Sequence, residues 1–261
     1  MEKHLLMRID ASVICIVLFI LMLLTVIVGN KMRKKFWNVE EGDPKGGVNA
    51  LLGALFGLWG FMLAFTFNQS GNRFETVRAM IVDEGNILRT TIIRADFFPD
   101  SVREAYRVDL RKYVQERIAY YEYDADEVKF NSNREEITKT ATALWARTVE
   151  QSKKPELTGP ANNMANSLTD LFDIGIKRES LLSAGIPMPV NFMLIVLALS
   201  ISLVGGFTTP FIKRKEWIVV GVFAFLASTI LYITIDLARP MEGLIKPDAG
   251  QKTIVNLLKL F

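Results

Sequence analysis

The chain has one cysteine and one histidine in 261 residues. A single cysteine forms no intrachain disulfide, so Cys15 says nothing about redox compartment. It lies inside an apolar run, where a small core or lipid-facing residue is the plain reading. His4 is the only imidazole, so a serine or cysteine triad built around a histidine base is hard to assemble. The sequence has no His-Glu-x-x-His, no cysteine pair and no Gly-x-x-x-x-Gly-Lys phosphate loop. Net charge is only +3, too small to point to nucleic acid. No long run alternates apolar and polar residues, so strands are not expected. Repeats of the ~20–50-residue kind and low-complexity stretches are also missing. The acidic clusters are Asp83-Glu84, Asp124-x-Asp126-Glu127, Glu135-Glu136 and Asp170-x-x-Asp173. They read as solvated helix faces with matching arginines, and Asp124–Glu127 lacks the glycine of a calcium loop. No metal, no cofactor and no enzymatic activity are therefore expected. An intramembrane pair of aspartates is the one enzymatic chemistry these absences leave open.

Apolar length is what the chain has in quantity. Half its residues are hydrophobic, and mean hydropathy is +0.24. Four charge-free runs stand out, Ala11–Gly29, Val48–Phe67, Val190–Thr209 and Trp217–Ile235. Each has 19 or 20 residues, enough at ~1.5 Å per residue to cross the ~30 Å hydrocarbon core. The first run is long for a signal peptide, and Gly29-Asn30-Lys31 is a poor cleavage site, so it reads as a retained helix. Helices are required because backbone polar groups in lipid need internal partners.

The expected fold is all-α. It is a multi-pass membrane protein with four transmembrane helices in a two-plus-two layout and a helical aqueous domain between the pairs. The divisions are 1–67 for the first pair (11–29 and 48–67), 68–186 for the aqueous domain, 187–236 for the second pair (190–209 and 217–235) and 237–261 for a C-terminal tail. Lys31, Arg33, Lys34, Lys35 and Lys45 crowd the first hairpin, and Lys213, Arg214 and Lys215 the second. The positive-inside rule places both hairpins in the cytoplasm by density of charge. By count, the other side nearly balances them.

The polar middle reads as four helices. Phe74, Val77, Ile81, Leu88 and Ile92 form one amphipathic face, which stops near Phe97-Phe98-Pro99. Asp100 or Ser101 caps the next helix, with Val102, Tyr106, Leu110, Tyr113 or Val114, Ile118 and Tyr121 on its apolar face. A loop is expected over Tyr123–Asn133, then a helix over Arg134–Ser152 with Ile137, Ala141, Leu144, Trp145 and Val149 inward. The last helix spans Pro160–Ser183 and carries Met164, Leu168, Leu171 and Phe172.

The second span has an internal pattern. Gly53, Gly57, Phe61 and Phe65 recur every four residues and share one slowly drifting face. Gly53-x-x-x-Gly57 permits close helix packing. Around a common axis, Phe61 and Phe65 of several subunits would stack into a hydrophobic constriction that gates by dewetting. Asn68, Gln69 and Asn72 would form a polar mouth just past it. Ordinary helix packing with lipid-facing aromatics is the plain alternative.

These residues resemble a known family. Phe61-Met-Leu-Ala-Phe65 is similar to the Phe-x-Leu-Gly-Phe neck of the bestrophin channels. Eight residues after its second Phe that family has an arginine, an aromatic and then a further arginine, matched here by Arg73, Phe74 and Arg78, with Ser70 also in place. Ile186-Pro187-Met188-Pro189 resembles the Pro-x-Pro opening of the third span in bacterial bestrophins. The whole chain is still more similar to the bacterial membrane proteins called bestrophin-like. Its Asp236-Leu-Ala-Arg-Pro-Met-Glu-Gly-Leu-Ile245 stretch looks like their Asp-x-x-Arg-Pro-x-x-Gly-Leu-Ile ending. The chain departs from the bestrophin pattern at Thr66, where a basic residue is common, at Gly71, where a tyrosine is expected, and at Gly57, where the neck has a bulky apolar residue. No counterpart of the animal calcium cluster is present.

The resemblance implies a homo-oligomeric ion channel of the bacterial inner membrane, ring-shaped and pentameric, passing monovalent ions. Gly57, Phe61 and Phe65 would form the pore neck and Asn68, Gln69 and Asn72 its mouth. The soluble extension of the second span would continue the conduit, with Asp83 and Glu84 as charged rings. The partners implied are the lipid bilayer and further copies of the chain, and no nucleic acid. The family also implies a cytoplasmic central domain, opposite to what hairpin charge density suggests. Two rival readings share the layout. One is a stator-type proton-channel subunit working with a single-span partner through Ser200, Ser202 and Thr229. The other is a membrane-anchored helical scaffold or signalling module.

Overall fold

The computed structural model describes residues 10–36, 47–122, 127–183, 187–209, 214–240 and 243–261. His4, Lys45, Asp124, Asp126, Ile186, Lys213, Met241 and Glu242 lie outside them. Among the described residues the chain is helical throughout, with no strand: α1 Ala11–Phe36, α2 Gly47–Arg94, α3 Asp100–Glu122, α4 Glu127–Ser152, α5 Thr158–Ser183, α6 Met188–Thr208, α7 Arg214–Leu237 and α8 Asp248–Leu257. Four of these, α1, α2, α6 and α7, are long and apolar enough to cross a membrane. At ~1.5 Å per residue α2 is about 72 Å long, more than twice the hydrocarbon thickness. Its length alone carries it out of the lipid.

The chain divides into a membrane unit, Met1–Arg73 with Ile186–Ala238, and an aqueous unit, Phe74–Gly185 with Arg239–Phe261. In the membrane unit α1 packs mainly on α6 and also on α7. The α1–α6 contact depends on two glycines. A Cβ on Gly29 would stand 2.1 Å from the Leu203 carbonyl oxygen, and one on Gly206 2.2 Å from that of Val26. Only hydrogen fits at either position, so the two backbones touch. Leu18, Met22, Leu194, Ala198, Ile201, Ala224 and Leu231 fill the core. Pro187 precedes α6 and Pro189 lies in its first turn, where a missing N–H costs nothing.

The aqueous unit has its own core of Val77, Ile81, Leu88, Tyr106, Leu110, Val114, Leu144, Met164, Leu168 and Leu171. The stop before Pro99 falls where expected, through a 3₁₀ turn at Ala95–Phe97. Two expectations fail here. The loop expected to reach Asn133 is helical from Glu127. Phe130 stacks on Tyr120 with centroids 4.9 Å apart, and Asn133 Nδ2 donates to the Glu116 carbonyl at 3.1 Å. Those tertiary contacts outweigh the weak helix propensity of an Asn-rich stretch. On α4, Trp145 and Val149 are each 42% exposed. The buried positions are Thr140, Leu144, Thr148 and Gln151, with Ile137 and Ala141 half-buried against the core, and Thr148 Oγ1 meets Tyr106 Oη at 2.9 Å. The expected face therefore meets the core through Ile137, Ala141 and Leu144 but not through Trp145 and Val149.

Candidate functional site on α2

The rotation of α2 in the membrane unit is set by one large side chain. Trp59 is buried, and its indole N–H donates to the Leu194 carbonyl at 3.1 Å. Its ring, with that of Phe56, meets Phe223 edge-on at centroid distances of 6.3 and 5.2 Å. Leu63, Thr66 and Ser70 continue the buried stripe. Thr66 Oγ1 donates to the Met62 carbonyl at 2.7 Å and Ser70 Oγ to that of Thr66 at 2.9 Å. Back-bonding of this kind hides both hydroxyls against their own helix.

With that face fixed inward, Phe61 and Phe65 are forced outward. They are 72% and 65% exposed. Four residues apart, they sit about 6 Å apart along the axis and about 40° apart around it. Asn68, Gln69 and Asn72 are exposed beyond them, and Asn72 Nδ2 donates to Asn68 Oδ1 at 2.7 Å. Gly53 and Gly57 are exposed, and a Cβ on either would meet nothing within 4 Å. Within one chain they face open space. Among the described residues of the membrane unit, the close glycine contacts are at Gly29 and Gly206, which the four-residue pattern on α2 does not reveal.

The charged ring expected from Asp83 and Glu84 divides. Asp83 is exposed, but Glu84 is fully buried in the aqueous core. Arg117 Nε donates to Glu84 Oε1 at 2.5 Å, and Arg178 Nη1 donates to Oε2. Both guanidinium groups lie over Tyr120, at 5.0 and 5.3 Å from its ring centroid. The carboxylate ties α2, α3 and α5 together and cannot line a conduit. Position 84 falls on the stripe Val77, Ile81, Leu88, so its burial was readable from spacing. Nearby, burial pushes the Tyr113 phenol up to about 12.

Ser200, Ser202 and Thr229, the hydroxyls a stator subunit would use, each donate to the carbonyl four residues earlier, at 2.8, 2.9 and 2.8 Å. Among the described residues no group of histidine, cysteine, aspartate and glutamate could hold a metal ion.

Comparison with known proteins gives the family. The structure of a bacterial bestrophin homolog from Klebsiella pneumoniae matches with a TM-score of 0.66 at 13% identity, covering 94% of this chain and 98% of that one. A crystal structure described as a membrane protein matches with a TM-score of 0.68 at 15% identity, over 94% and 97% of the two chains. A further variant of the Klebsiella pneumoniae homolog covers 99% of this chain and 100% of its own, with a TM-score of 0.63 at 12% identity. At these identities the likeness establishes the fold. No curated protein matches the chain. The Bestrophin-like domain matches residues 14–246, nearly the full length, and the chain belongs to the Bestrophin-like family.

Proposed function

We propose that the protein is an ion channel formed by a ring of subunits in the bacterial inner membrane, five by family resemblance. In this reading α2 of each subunit faces the axis. Phe61 and Phe65 form a hydrophobic neck, Gly57 stands one turn before it, and Asn68, Gln69 and Asn72 form a polar mouth. Monovalent ions pass when the neck wets, since bare phenyl rings offer an ion no replacement for its hydration shell. The observation that supports this most is the outward projection of Phe61 and Phe65 opposite the Trp59 anchor. The Asn68–Asn72 amide pair beyond them suits water better than lipid. The back-bonded Ser200, Ser202 and Thr229 lend no support to the stator alternative.

Purified protein in liposomes is expected to pass monovalent ions. Phe61→Ala and Phe65→Ala are each expected to raise the flux about tenfold, a barrier lowered by about 1.4 kcal/mol. Absence of flux in the wild type and both variants would refute the reading.

A further inference from the structure

The membrane unit contains a slot of about 400 Å³, within the range of small-molecule sites. It lies beside α2 where Phe56 and Phe223 stand between helices, with Gly205 opening it on α6. Its walls come from all four spans, near the ends that the two hairpins join. It runs from Ile201 along α6 to Thr209, just past the helix end, and on α7 from Ala224 to Glu216. Eight residues of helix rise about 12 Å, most of one leaflet of a ~30 Å core. The polarity is graded along that depth. Ile201, Phe223 and Ala224 lie at the inner end beside Ser202, whose hydroxyl is spent on the Ala198 carbonyl, and Thr208, Thr209 and Glu216 lie at the outer end. A positive group stands at the same outer end. Arg33 Nη1 donates to the Thr208 carbonyl at 2.7 Å, and Asn30 Nδ2 to that of Thr209 at 2.6 Å.

We propose that this slot is a lipid site. It takes one acyl chain of a bilayer phospholipid, with the lipid phosphate at Arg33 and a headgroup amine at Glu216. An apolar space of this size beside lipid tails does not stay empty, because its lining would forgo dispersion contacts that a chain supplies. The depth matches a single-leaflet chain rather than a whole lipid. A guanidinium and a carboxylate at one mouth complement a headgroup carrying both charges. Glycine at position 205 keeps the slot open, since a Cβ there would meet nothing within 4 Å.

Native mass spectrometry of the purified protein with dioleoylphosphatidylethanolamine tests this without reference to ion flux. One tightly held lipid per subunit is expected in the wild type. Gly205→Leu and Val219→Trp, the second filling the slot from its exposed side, should each reduce retention at least tenfold. Gly221→Leu is the control, because position 221 has equal open space but lies outside the slot lining. Glu216→Gln should weaken binding of the amine lipid more than of dioleoylphosphatidylglycerol. Equal retention in wild type and both filling variants would overturn the proposal. So would a wild type that holds no lipid while the filling variants lose their oligomer, which would assign the slot to a second copy. Neither outcome bears on conduction.

Discussion

Glu84 and Asp83 are neighbours in the chain and opposites in the fold. Asp83 is exposed, whereas Glu84 has no accessible surface and accepts from two arginines. Removing the charge of a buried carboxylate leaves its cationic partners in low dielectric, which typically costs about 3–5 kcal/mol. Glu84→Gln is therefore expected to destabilise the aqueous unit by about that amount. Asp83→Asn should change stability by no more than about 0.5 kcal/mol, as exposed substitutions do. Denaturant unfolding followed by circular dichroism compares the two. Sequence spacing alone places Glu84 inward, yet its two arginines come from helices 33 and 94 residues further along the chain. Spacing gives the direction of a side chain, not the partner that meets it. Trp145 shows the converse, since apolar character predicts burial and yet it is Thr148, three residues on, whose hydroxyl meets Tyr106 in the core.

At the scale of elements, the membrane spans were legible because length and the absence of charge are dictated by the bilayer itself. All four runs reappear in helices, the third up to Thr208, and α2 continues unbroken to Arg94. The glycine contacts were not legible in the same way. A small-xxx-small pattern says that two backbones can approach and does not say which pair does. Within one chain the close approach in the membrane unit is at Gly29 and Gly206, while Gly53 and Gly57 look onto open space, where a neighbouring subunit could meet them. Gly206→Ala would drive a methyl group into the Val26 carbonyl and is expected to lower stability in detergent by about 1–3 kcal/mol. A Cβ at position 57 meets nothing within 4 Å, and Gly57→Leu should leave the thermal midpoint nearly unchanged. If α2 faces the axis, the same change adds a bulky side chain one turn before Phe61 and should reduce ion flux. Thermal unfolding in detergent and liposome flux, read on both variants, separate a packing role from a pore-lining one.

As a whole molecule the chain is a four-span helical membrane protein of the Bestrophin-like family with two compact units. Its short motifs carried the resemblance, and the fold extends it over 94% of the chain at 13–15% identity. Pro187 and Pro189 of the quoted motif sit at the start of α6, where a helix tolerates proline. What a single chain does not contain is an axis, and the function proposed here resides on one. The most direct measurement is a cryo-electron-microscopy reconstruction of the purified protein in lipid nanodiscs. The account predicts a symmetric ring, with α2 of every subunit around a central opening that Phe61 and Phe65 narrow. A monomer, or a ring with both phenyl groups turned to the lipid, would contradict it.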